Sequence, residues 1–250
     1  YFAIKEIEKK IEEYNEDGSR KGGLVWHTQG SGKSLTMVML ARVLMRKVRN
    51  PRIILVTDRK ELDKQIGTTF IQSGFKDSVS RAKNGRDLLN KIRENRGQII
   101  TTVVNKFETV SANNVSIEEN NIFILVDESH RTQYGSLHRS MRKVFPKACY
   151  IGFTGTPLLK ENKTQKKFGE LIHKYTIEQA IKDKSVLPLF YEGRLVEQWI
   201  NDQSGLDRKF ELITKNLGEE EKEDLKSKWA RFQRVASSER RLEAIALDIN

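Results

Sequence analysis

The sequence carries a single cysteine, Cys149, in 250 residues. No internal disulfide framework can form, and a reducing cytoplasm is the expected compartment. No run approaches the ~20 consecutive apolar residues that a membrane-spanning helix needs, so no membrane partner is expected. Cysteine and histidine never fall at zinc-ligand spacing. Repeats and low-complexity tracts are absent. The opening stretch, Y-F-A-I-K-E-I-E-K-K, has neither an initiating Met nor a signal-peptide pattern. It reads as the middle of an amphipathic helix, which makes an excised piece of a longer chain the expectation.

What is present is charge. Lys and Arg total 45 against 34 Asp and Glu, for a net charge of +11 and 32% charged residues. The pI is near 9.6. A basic excess of this size points toward a polyanionic partner, of which nucleic acid is the commonest. The length suffices for one large or two small domains with a buried core.

The chain is organised around Trp26 to Leu35, W-H-T-Q-G-S-G-K-S-L, which follows the apolar pair Leu24-Val25 and opens a long apolar-periodic run. Small residues let a backbone turn so that successive N–H groups face one phosphate, and a helix beginning at Gly32 or Lys33 adds its positive end. Thr28, Gln29, Gly30, Ser31, Gly32, Lys33 and Ser34 are the candidate ATP-binding residues. Lys33 reaches the terminal phosphates and the Ser34 hydroxyl sits on Mg²⁺. The general phosphate-loop pattern calls for Gly where His27 stands.

Read in order, Phe2 to Tyr14 has helical spacing, and Asn15 to Gly23 is a turn. Leu35 to Val48 follows as a helix with a broad apolar face that includes Leu35, Val38, Met39 and Leu44. Ile53 to Val56, Ile99 to Val104, Ile122 to Val126 and Ala148 to Phe153 are continuous apolar runs suited to strands covered on both faces. Ser73 to Gly85 reads as a loop and Ser111 to Asn121 as an exposed polar stretch. Lys160 to Lys167 reads as a charged loop, Tyr175 to Lys182 as a helix and Val186 to Tyr191 as a strand. Beyond them come charged helices with Trp229, Phe232 and Val235 as a buried stripe. Strands alternating with helices predict an α/β fold with a mainly parallel sheet and helices on both faces. The expected division is a first lobe at 1–160 and a linking, mostly helical extension at 161–250.

The run Ile122 to Val126 leads into Asp127-Glu128-Ser129-His130. Asp127 at the strand tip holds Mg²⁺ opposite Ser34, and Glu128 orients and deprotonates the attacking water.

Five motifs then occur in order: H-T-Q-G-S-G-K-S, V-T-D-R-K-E-L-D-K-Q, T-T-V-V-N-K-F, V-D-E-S-H-R and G-F-T-G-T-P. Together they resemble motifs I, Ia, Ib, II and III of the DExH branch of superfamily 2 helicases. Their wording is most similar to the motor subunit of type I restriction enzymes, which pull double-stranded DNA past themselves at the expense of ATP. The resemblance implies a RecA-like P-loop NTPase lobe that acts with modification and specificity subunits. It also implies that Lys33, Asp127, Glu128 and His130 are catalytic, with His130 linking the nucleotide site to motif III. Thr154, Gly155 and Thr156 would couple nucleotide state to DNA grip. Thr57, Asp58, Arg59 and Lys106 would lie along one DNA strand through backbone contacts. Arg59 and Lys106 as plain solvated charges, His130 as a packing histidine and Trp26 as core or adenine-adjacent packing are the competing readings. The rival functions are another DExH helicase, a type III restriction subunit, or a module that senses nucleotide without hydrolysing it.

Overall fold

The computed structural model describes residues 1–94, 99–112, 115–127, 134–156, 168–188, 190, 203–229, 243 and 245–247. They form two compact units, Tyr1–Pro188 and Leu189–Asn250.

In the first unit the strands are β1 (Gly23–His27), β2 (Arg52–Thr57), β3 (Val79–Arg81), β4 (Ile99–Val103), β5 (Ile122–Val126), β6 (Cys149–Thr154) and β7 (Leu171–Tyr175). They make one seven-stranded sheet in the order β3-β4-β2-β5-β6-β1-β7. Every pairing is parallel. The helices are α1 (Phe2–Glu12), α2 (Lys33–Lys47), α3 (Lys60–Phe70), α4 (Gly85–Arg93), α5 (Lys106–Ala112), α6 (Tyr134–Val144) and α7 (Ile177–Lys182).

The continuous apolar runs follow from this layering, because a parallel strand between two helical layers buries both faces. Ile53 and Leu55 of β2 point with Phe123 and Leu125 of β5 into one core, shared with Ile7 of α1, Leu44 of α2 and Phe70 of α3. Ile54 and Val56 point the other way with Ile122 and Ile124, onto Ile92 of α4, Phe107 of α5 and Val144 of α6. A fully buried side chain of this size contributes roughly 1.5–3 kcal/mol. An exposed pair such as Lys9–Glu6 (3.6 Å) contributes about 0–1 kcal/mol, so the two apolar layers hold the sheet.

Several expectations are corrected. Leu35 and Met39 are each 53% exposed, and the buried stripe of α2 is Met37, Val38, Leu40, Ala41 and Leu44. The stretch Ser73 to Gly85, expected as a loop, contains β3. Val186 to Pro188 form no strand. β7 pairs with β1, and the capping box of Thr176 and Gln179 then starts α7, so the first unit extends to Pro188.

The second unit contains α8 (Gln203–Ile213) and α9 (Glu219–Trp229), with Lys222 paired to Glu219 at 2.9 Å. The expected stripe of Trp229, Phe232 and Val235 falls on side chains outside the described ones. Among the described residues no helix is long and apolar enough to cross a membrane.

Candidate functional site

The motif residues gather at the carboxyl ends of the strands, where open α/β sheets place their ligand sites. β1 ends at His27, and the Thr28 N–H donates to the carbonyl of Tyr175 at 3.0 Å, fixing the first loop residue to β7. Ser31 turns back, its hydroxyl donating to the Thr28 carbonyl at 2.6 Å. Gly30 and Gly32 both take left-handed backbone, with φ of +81° and +88°. A Cβ on Gly32 would meet nothing within 4 Å, so the conformation and not crowding selects glycine there. Gly32 is the N-cap of α2 and no side chain caps that end, which leaves first-turn N–H groups facing the loop. Lys33 and Ser34, both half-buried, are the first two helical residues.

Motif III folds against this loop. A Cβ on Gly155 would lie 3.3 Å from the Gln29 nitrogen and 3.4 Å from Lys33 Nζ. The Trp26 indole N–H donates to the Gly155 carbonyl at 3.1 Å, and Lys174 Nζ sits 4.5 Å above the Trp26 ring. Thr154 is fully buried and its Oγ1 accepts from the Thr156 N–H at 3.2 Å. The loop, Trp26 and residues 154–156 therefore form one packed unit. The role of Trp26, read from sequence as packing, is to tie β1 to motif III; its position directly before the loop was the available signal.

Beneath the loop, His27 Nε2 lies 3.0 Å from His173 Nδ1. Burial, then the neighbouring His173 and Lys33, push the His27 imidazole down to about 4. Burial also lowers His173. Both rings are neutral near pH 7, so one supplies the N–H and the other the lone pair.

Asp127 continues the β5 ladder, its N–H donating to the Val56 carbonyl at 2.9 Å, and is half-buried at the strand tip. β6 separates β5 from β1. Glu128 and His130 lie outside the described residues.

Motifs Ia and Ib form a second group on the adjacent strands β2 and β4. The Val104 N–H donates to the Thr57 carbonyl at 2.9 Å. Thr57 itself is fully buried and its hydroxyl donates to the Arg59 carbonyl at 3.2 Å, so it shapes the turn. Arg59 is the exposed member, 3.5 Å from Asp58. Lys106 is turned inward, donating to the Ala82 carbonyl, and burial is the main cause of its lowered pKa. Sequence reading missed Asp63, which is fully buried on α3 and accepts from Arg81 Nε at 2.6 Å. Its signal was an acid on the buried stripe of Ile66, Gly67 and Phe70.

The chain is 34% identical to the type I restriction enzyme HindI endonuclease subunit of Haemophilus influenzae, over 99% of this chain and 25% of that protein. It is 30% identical to the type I restriction enzyme SsaAORF53P endonuclease subunit of Staphylococcus saprophyticus, over 87% of this chain and 26% of that one. The chain thus spans about a quarter of the length of these relatives. Among solved structures, a nuclease-deletion mutant of the Type ISP restriction-modification enzyme LlaGI, in complex with a DNA substrate mimic, superposes with a TM-score of 0.56 at 15% identity. That match covers 87% of this chain and 22% of the other, and shows a shared fold. The phosphate loop, the strand-tip aspartate and motif III all lie within residues 1–223, the stretch that the SWI2/SNF2 ATPase pattern matches, and the chain belongs to that family.

Proposed function

We propose that the chain is the first motor lobe of the DNA-translocating subunit of a type I restriction endonuclease. On this reading it binds ATP and Mg²⁺ at Thr28 to Ser34 and the backbone of double-stranded DNA along the rim of β2 and β4. Modification and specificity subunits are its partners. The observation that carries the reading is the convergence of left-handed Gly30, left-handed and helix-capping Gly32, the Lys33 ammonium and the Gly155 backbone on one open loop.

This set fits a phosphate tail. The space beside Gly32 is open, the donors are backbone N–H groups and an ammonium, and the α2 terminus adds positive potential. Mg²⁺, held between Ser34 and Asp127, would neutralise charge building on the transferring phosphoryl group. Glu128 takes the proton of the attacking water, and His130 relays the site to motif III. Thr154, Gly155 and Thr156 report phosphate occupancy, because Gly155 already lies against Lys33. Arg59 is the DNA contact on motif Ia. Thr57 shapes the turn that presents it and Asp58 pairs with its guanidinium, while Lys106 is turned inward to the Ala82 carbonyl.

Titration calorimetry with ATP and Mg²⁺ is the test. Lys33→Ala is expected to cost about 1.5–3 kcal/mol of binding, the contribution of a charge-assisted contact. Unchanged affinity would reduce the loop to a turn. Hydrolysis by the 250-residue chain is expected barely above background, because a charge-stabilising arginine from a second lobe contributes ~10³–10⁵ in rate in such motors. Brisk DNA-stimulated phosphate release by this chain alone would overturn the one-lobe assignment.

A further inference from the structure

Motifs Ia and Ib leave the sheet on neighbouring strands, β2 and β4, but the helices that follow them lie on opposite faces. α3 sends Ile66 and Phe70 into one apolar layer, and α5 sends Phe107 and Val110 into the other. The short stretch Arg81 to Gly85, which leaves edge strand β3 and opens α4, touches both helices.

Arg81 holds the α3 side. Its Nε donates to Asp63 Oδ2 at 2.6 Å and its Nη2 to the Lys60 carbonyl at 3.2 Å, both in the first turn of α3. The Asp63 side chain is fully buried while that of Arg81 is 47% exposed, so the carboxylate is the fixed end and depends on the guanidinium to offset its charge. The Asp63 N–H donates to the Arg59 carbonyl at 3.0 Å, which passes the constraint to the exposed cation at the tip of motif Ia.

The next residues hold the α5 side. The Lys106 ammonium donates to the Ala82 carbonyl. Gly85 lies so close that a Cβ would stand 3.0 Å from the Lys106 carbonyl oxygen and 2.9 Å from Thr109 Cβ. The Ala82 N–H donates to the Thr101 carbonyl of β4 at 2.9 Å, which fixes the stretch to the sheet between the two helices.

We infer that Arg81 to Gly85 is a strap around the rim of the sheet that sets the spacing of motifs Ia and Ib, with Arg81 and Lys106 as positioning residues. The inference rests on the DNA reading above. Phosphates recur at fixed intervals along a strand, so the separation of the two motif tips decides how many they meet at once.

A charge-conserving variant separates positioning from contact. Arg81→Lys keeps the net charge and a cation for the buried carboxylate, but loses the planar fork that spans Asp63 and Lys60. Hydrogen exchange in this variant is expected to quicken in the first turns of both α3 and α5, with Thr28 to Ser34 unchanged. Duplex affinity, read by fluorescence anisotropy, is expected to fall about fivefold, the effect of one exposed charged contact. Lys106→Met, read by exchange alone, is expected to quicken the first turn of α3 from the other face of the sheet, the reciprocity that coupling requires. Exchange that quickens only at the helix beside each substitution overturns the strap. So does a duplex affinity that Arg81→Lys leaves unchanged, because Arg81 would then meet phosphate as a plain charge or not at all. Lack of duplex binding by the unsubstituted chain would instead count against the DNA reading, and the exchange arms would still decide whether the two helices are coupled.

Discussion

The two ends of the same strands are built to opposite rules. At the carboxyl end of β1, glycine serves a left-handed turn with open space beside it, and the polar groups face outward from Gly30, Gly32 and the uncapped start of α2. At the amino end, Gly22 serves close packing, with the Tyr150 backbone where a side chain would be. The free backbone groups needed to hold a ligand stand where the chain has room, and the interlocking that fixes the strands stands where it has none.

The sharpest way to break this comparison is one methyl group at each end. Gly22→Ala forces a Cβ against main chain that cannot swing away, and is expected to cost about 3 kcal/mol or more. Gly32→Ala meets no neighbour and costs only the left-handed backbone penalty, about 1–2 kcal/mol. Urea-unfolding midpoints of the two variants measure this, and equal losses would erase the distinction.

A smaller effect concerns acid. His27 titrates near 4 when folded, below its ordinary 6.5, so between those values the unfolded chain binds the extra proton. Stability therefore rises with pH across that window and is flat above it with respect to this group. His27→Gln is expected to flatten the dependence between about pH 4 and 6.5. A pH profile unchanged by the substitution would mean that His27 is not buried neutral beneath the loop.

The smallest effect sits after α7, where Lys184 has a φ of +57° and its N–H bonds the Ile181 carbonyl at 3.0 Å. This is the C-terminal position that favours glycine, and Lys184→Gly is expected to gain about 0.5–1 kcal/mol in thermal or urea unfolding. A loss would show that the lysine side chain contributes contacts that outweigh its backbone cost.

The central strands were legible because burial on both faces writes itself as unbroken runs such as I-I-L-V and I-F-I-L-V. The edge strands were not. β7, L-I-H-K-Y, is only partly buried along its length and mixes apolar with polar residues, and β3 is three residues long inside a polar stretch. The turn between β1 and α2 was readable from Gly30 and Gly32 because left-handed backbone dictates residue type there. Trp26 and Asp63 act through tertiary partners, Gly155 and Arg81, that no local pattern reveals. Lys106 looked like a surface cation; its inward turn depends on the Ala82 carbonyl, far away in sequence.

The strand order also dictates a schedule of assembly. Among the described residues β1 pairs with β6 and β7, the last two strands of the sheet, while β2 pairs with β4 and β5 in the middle of the chain. The shorter loops of the middle strands close at lower entropic cost, which favours them as the early nucleus. A growing chain must therefore carry β1 unpaired until β6 has been made, and the loop after β1 unanchored until Tyr175 has been made, because the Thr28 N–H waits for that carbonyl. The loop between β1 and α2 would then take its final shape only once the sheet is complete.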